Sequence, residues 1–235
     1  MFIIAQGMDL SRFIQVFLVQ GLSGLFYFFI GFKIIRRERK GINIILSSYY
    51  FLVAIGALIN IIYVNIFDET LALALHFTTY YLFCLSLIFL FISVLILLKS
   101  DKIITFKKQI SIILIFALLL IVLWFIPDGV GLNAVSWKPE WSWTFLIYSI
   151  VICSTIAIIP TLYISFKIYR SFQKDLLKKK WIFFLVGIIG YFYLYYGTSL
   201  SNTIADPTIR LIWSIISLPT LITIYFIYYG VAKQL

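Results

Sequence analysis

Seven stretches of this chain are each long and apolar enough to cross a bilayer, and short segments between them hold nearly all of the charge. A spanning helix needs about 20 mostly apolar residues. The stretches run over roughly 13–35, 42–67, 70–98, 109–126, 143–166, 181–204 and 208–230. Hydrophobic residues fill 63% of the 235 positions and charged residues 12%, against about 25% charged in an ordinary soluble domain. A soluble chain of this size has no core large enough to hide so much apolar surface. The sequence therefore reads as an all-α membrane protein, one seven-helix domain over residues 1–235, with the lipid bilayer as its first partner.

The basic residues set an orientation. Sixteen of them, among them Lys33, Arg36, Arg37, Arg39, Lys40, Lys99, Lys178, Lys179, Lys180 and Lys233, fall on one side of the alternating spans. Only Arg12, Lys138 and Arg210 fall on the other. Lys and Arg mark the cytoplasmic side, so the expectation is an N-terminus outside, a C-terminus in the cytoplasm, and a multi-pass protein of the cell membrane. The acids agree: Asp9, Asp68, Glu69, Asp128, Glu140 and Asp206 lie outside, Glu38, Asp101 and Asp175 inside. The net charge of +10 is spread over these clusters and not gathered on one domain, so nucleic acid is not expected as a partner.

Much chemistry is missing. No acid or base stands near the centre of a span, where proton relays and ion pathways keep theirs. The seventh span, from Leu211 to Thr223, has no lysine to carry retinal as in microbial rhodopsins. One histidine cannot build a multi-His metal site, there is no G-x-S-x-G elbow, and no cofactor is expected. Cys84 and Cys153 sit inside apolar runs and read as packing residues. There is no N-x-S/T sequon, and no basic segment precedes the first apolar run as in a cleaved signal peptide. The expectation is a protein that is not an enzyme.

Polar side chains recur at helical spacing, mostly in the outer halves of the spans. Tyr191, Tyr195, Thr198, Ser199 and Asn202 share one face; so do His76, Thr79, Tyr80 and Phe83; so do Gly56, Asn60 and Tyr63; so do Arg210, Ser214 and Ser217. Such faces turn from lipid toward the bundle. They fit packing by interhelical hydrogen bonds, or the walls of a pocket open to the outside. In the pocket reading a small neutral or weakly anionic ligand meets Tyr63, His76, Tyr80, Tyr195, Asn202 and Trp213, with Arg210 as the only cation near the mouth and Asp206 pairing with it when the pocket is empty. His76 also leaves a pH-sensing role open. The loop 127–142, with Trp137, Trp141 and Trp143 at its end, fits an interfacial anchor or a lid. Pro160 and Pro219 mark expected kinks, and Gly21, Gly24, Gly31, Gly187 and Gly190 permit close helix approach.

The layout has a short outer tail, its longest outer loop between spans four and five, basic inner loops, and a closing stretch from Leu218-Pro219 through Ile224-Tyr225-Phe226-Ile227-Tyr228-Tyr229-Gly230-Val231-Ala232-Lys233. It resembles the seven-transmembrane sensor modules at the N-terminus of many microbial histidine kinases and cyclases. The resemblance implies a receptor that binds a ligand from outside. No kinase or cyclase domain follows before Leu235, so it also implies a separate cytoplasmic signalling protein, for which the long inner loop Lys167–Lys180 is the candidate docking surface. Two alternatives stay open: a seven-helix solute transporter built three-plus-one-plus-three, as in sugar carriers of the SWEET type, and a structural subunit of a membrane complex. A pocket sealed toward the cytoplasm favours the receptor, and access from both sides the carrier.

Overall fold

The computed structural model describes residues 10–37, 41–100, 102–133 and 136–232 and is 84% helical. The acidic and basic residues Asp9, Glu38, Arg39, Lys40, Asp101 and Lys233 lie outside the described residues. Six helices are long and apolar enough to cross a membrane: α1 (Leu10–Ile35), α2 (Gly41–Tyr63), α3 (Glu69–Lys99), α4 (Phe106–Phe125), α5 (Trp143–Ser171) and α6 (Asp175–Ile204). A seventh apolar segment is broken into α7 (Pro207–Ile216) and α8 (Thr220–Val231), which meet at 44°. This architecture is consistent with an all-α membrane bundle.

Local chemistry explains the helix ends. Asp68 caps α3 by accepting the Leu71 N–H at 2.8 Å, Ser142 caps α5 at Phe145, and Asp206 caps α7 at Ile209 at 2.9 Å, with Pro207 at the first helical position. The expected kink at Pro219 is the break between α7 and α8. At Pro160 the chain answers differently. The π turn Ser154–Ile158 lies just before it, and α5 continues as one helix. The second helix ends at Tyr63, not at 67, because residues 64–66 close in turns.

One expectation fails in form. Lys167–Lys180 is not a long loop: α5 runs to Ser171 and α6 starts at Asp175, so three residues connect them. The apolar spans simply keep their helical hydrogen bonding past their apolar ends, and all the basic residues but Lys174 stand on helical turns. This connection, with Lys99, Lys102, Lys107 and Lys108 around the next and Lys33, Arg36 and Arg37 at the end of α1, defines a basic end. The opposite end carries residues 64–68, the segment 126–142 and residues 205–206. Part of that segment is a β-hairpin, with β1 (Val130–Leu132) paired antiparallel to β2 (Pro139–Trp141), Val130 opposite Trp141 and Leu132 opposite Pro139. The turn between the strands is held by Asn133, whose side chain accepts the Ser136 N–H and donates to Glu140 Oε1, each at 2.9 Å.

The core is not uniform along the bundle. Toward the basic end it is mainly apolar: Leu46, Leu87, Ile88, Leu90, Ile92, Val94, Ile188 and Ile227 are all at or below 1% exposed, with Asn43, Ser47, Ser93 and Ser165 buried among them. Outside, Leu25, Phe29, Leu118, Ile147 and Ile222 each expose more than half of their surface. An apolar surface this continuous does not suit water. Close approach is possible where side chains are absent. A Cβ on Gly190 would lie 2.4 Å from Thr223 Cγ2, and one on Gly187 2.6 Å from Ile227, so α6 and α8 touch backbone to side chain. Cys84 and Cys153 are free and fully buried.

Candidate functional site: a polar cavity at the hairpin end

The polar faces of α2, α3, α6 and α7 meet at the hairpin end around a cavity of about 110 Å³. On α3 the helical repeat aims His76, Thr79, Tyr80 and Phe83 at it; α2 adds Asn60 and Tyr63, α6 adds Thr198, Ser201 and Asn202, and α7 adds Arg210, Trp213 and Ser214. Six of the seven residues picked out in the sequence, Tyr63, His76, Tyr80, Asn202, Arg210 and Trp213, line this one space. The seventh, Tyr195, lines an adjoining cavity instead.

His76 is the best-anchored group. Trp141 Nε1 donates to its Nε2 at 3.0 Å, and Tyr63 Oη lies 2.9 Å from its Nδ1. An indole N–H can only donate, so Nε2 accepts and the ring proton sits on Nδ1, facing the Tyr63 hydroxyl. Protonating Nε2 would break the Trp141 bond. Trp141 also packs edge-on against Tyr80, ring centroids 4.5 Å apart, and against Phe145 at 5.0 Å. The three tryptophans of the loop thus part company. Trp141 is a buried wall of the site, Trp137 rests on Phe67 at 5.8 Å, and Trp143 is exposed.

Arg210 is not the only cation here. Arg12 from α1 and Lys138 from the hairpin turn line the same cavity, and all three are buried, at 8%, 7% and 7% exposure. Arg12 Nη1 donates to the Ser136 carbonyl at 2.8 Å, Lys138 Nζ to Ser11 Oγ at 2.8 Å, and Arg210 Nη2 to the Pro139 carbonyl at 2.8 Å and the Asn202 carbonyl at 3.5 Å. The expected Asp206–Arg210 pair is absent, because the Asp206 carboxylate is turned to the first turn of α7 as its cap. Ser214 Oγ reaches the Ser11 carbonyl at 3.1 Å and Ser217 Oγ reaches Gln15 Oε1 at 3.2 Å, fixing α7 to α1.

Arg12, Lys138 and Gln20 escaped the sequence reading because helical spacing finds residues on one face, and these three reach the site from a helix start, a turn and a π-helical stretch, Ile14–Gly21. A signal did exist. The three basic residues on the Lys/Arg-poor side are the three that converge.

Below the polar cavity lies a second one of about 100 Å³, mostly apolar, lined by Val19, Ser23, Val53, Ala57, Leu194 and Tyr195 among others. Gln15, Gln20, Tyr80, Phe83 and Thr198 line both, so the two abut. A layer of hydroxyls closes the floor. Tyr80 Oη bonds Ser149 Oγ, which lies 2.7 Å from Tyr195 Oη; Ser86 Oγ lies 2.7 Å from Tyr191 Oη, and Tyr27 Oη 3.3 Å from Tyr49 Oη. Beneath it the apolar half begins. Among the described residues no three His, Cys, Asp or Glu side chains converge as a metal set. The chain matches no protein-family model, no curated protein and no solved structure.

Proposed function

We propose that the chain is a non-catalytic, receptor-like bundle of seven spans in the cell membrane, with the hairpin end outside and the basic end in the cytoplasm. The Lys/Arg asymmetry supports that orientation. A small ligand binds in the polar cavity, and the basic helix ends over Lys167–Lys180 pass the change to a separate cytoplasmic signalling protein. One observation carries the reading: a polar, aromatic-walled cavity occupies the hairpin end, while the basic half of the same bundle buries mainly apolar side chains. A cavity at one end suits binding from that side; a carrier also needs a route through the other half. Signalling further requires that the ligand prefer one of two arrangements, and the break between α7 and α8 is the place where the arrangement can change without melting a helix.

The test is a thermal-stability screen of small polar and weakly anionic molecules on the purified full chain, in parallel with Asn202→Ala and His76→Gln. Hits that raise the wild-type midpoint should lose at least about fivefold in affinity in one variant, as removal of one polar partner costs about 1–3 kcal/mol. Hits indifferent to both variants, or an absence of hits, would remove the ligand reading at this site and leave the structural subunit as the better account.

A further inference from the structure

We infer that a groove on the outside of the bundle, between α1 and α8 toward the basic end, is a binding site for one anionic phospholipid, with the phosphate at Lys33 and an acyl chain along the groove. Such a site needs the bundle to stand in a membrane and is independent of what fills the polar cavity.

The groove follows from the break at Pro219. On the hairpin side of the break, α7 is stitched to α1 by Ser214 on the Ser11 carbonyl and Ser217 on Gln15. On the other side α8 turns through 44° and beds on α6, where Gly187 and Gly190 leave room for Ile227 and Thr223. There a groove of about 430 Å³ opens between α8 and α1. That is well above the ~150 Å³ that holds benzene. Its floor is buried: Ile30, Ile224 and Tyr228 are 5%, 1% and 4% exposed. Its rim faces outward, with Phe29 at 63% and Ile222 at 59%. Along α1 the lining runs from Phe26 to Lys33, about 10 Å of helix. An apolar groove that opens sideways and runs along the spans suits a chain of methylenes.

The head group follows from charge. Lys33 is the one charged side chain among the described lining residues, and it stands at the basic end of the groove. Its Nζ lies 5.3 Å from the centre of the Tyr228 ring, so the ammonium is held over the end of the floor. Beside it Tyr225 stacks on Tyr229 at 5.9 Å, and tyrosines gather at the depth of lipid head groups. Arg36, three residues beyond Lys33 on the same helix end, is exposed, and the stretch from Lys33 to Lys40 holds five basic residues against one acid, Glu38. Each Lys or Arg at that depth favours an anionic head group over a neutral one. A second copy of the chain laid on the groove would press the Lys33 ammonium into an apolar contact, which is costly. A phosphate beside it is a counter-charge that also accepts its N–H donors.

The experiment is native mass spectrometry of the full chain in detergent, with dioleoyl phosphatidylglycerol, dioleoyl phosphatidylcholine or glycerol phosphate added. One phosphatidylglycerol should stay bound per chain, at least about fivefold more tightly than phosphatidylcholine, the weight of one basic group near a charged head. Glycerol phosphate, which has the head without the chains, should not be retained. Lys33→Gln should weaken phosphatidylglycerol about fivefold, while Lys107→Gln, exposed at the same end on α4, should leave it unchanged. Ile222→Trp and, separately, Phe29→Trp crowd the rim from exposed positions and should lower the occupancy of both lipids. Equal retention of the two lipids would refute the charged head. Equal losses in Lys33→Gln and Lys107→Gln would mean diffuse attraction and refute the site. Glycerol phosphate held as well as the lipid would refute the chain, and indifference to both tryptophans would refute the groove. A lipid-free dimer dispersed by Phe29→Trp would assign the groove to a second copy instead.

Discussion

His76 joins two helices and the hairpin through its two ring nitrogens, and that is why its neighbours matter more than its own titration. Trp141→Phe keeps the ring contacts with Tyr80 and Phe145 but removes the donor to Nε2. The stability loss should be about 1–3 kcal/mol, the cost of a buried acceptor left unmade. Tyr63→Phe should cost a similar amount, and the double variant should fall short of the sum, because both act through one imidazole. Thermal midpoints of the four proteins in one detergent decide it; simple additivity would mean the network drawn around His76 is not coupled. At this scale the sequence was only partly legible. Spacing along α3 placed His76, Thr79 and Tyr80 on one face, but nothing in a single chain tells which loop side chain will meet them. Trp141 is 65 residues from His76, and Lys138 is 127 from Ser11.

Elements were the easiest level to read, since a span of about 20 apolar residues has few ways to satisfy its backbone in lipid other than as a helix. What the pattern could not give was where each helix stops. The helices α5 and α6 run on into their basic turns, which is why Lys167–Lys180 looked like a loop. Long lysine stems lie along apolar surface and carry their charge outward, as Lys33 does over the Tyr228 ring at 5.3 Å, so charge in the sequence is a poor marker of a helix end. Glycines at helix contacts were legible in kind and incomplete in number. Gly187 and Gly190 were expected, whereas Gly197, over which the Trp213 ring lies, was not. Gly190→Ala places a methyl 2.4 Å from Thr223 Cγ2. It should cost about 1–3 kcal/mol through overpacking, seen as a lower thermal midpoint. Pairing it with Thr223→Ala should recover most of the loss, and a failure to recover would mean that α6 and α8 do not touch there.

For the molecule as a whole, the open question of direction has a simple answer at the bench. Cys84 and Cys153 are fully buried, so a hydrophilic maleimide has little to attack in the native chain. Asp128 and Lys179 are both exposed, at opposite ends. In intact cells Asp128→Cys should react with the impermeant reagent and Lys179→Cys only after permeabilisation; the reverse pattern would invert the topology and turn the cavity toward the cytoplasm. Lys138, though it stands in the same loop as Asp128, is a poor reporter, because it is buried against Ser11.

The stitches between Ser11 and Ser214, and between Gln15 and Ser217, join residues 203 and 202 positions apart. A ribosome makes the first of these partners some 200 residues before the second. Over that interval Ser11 and Gln15 lack their partners on α7, while Val16 can already pack against Tyr63 and Val64. The helices of the basic half can pair as they emerge, neighbour on neighbour. The chamber at the other end has no such schedule: it is completed only when α7 arrives and meets the first turn of α1.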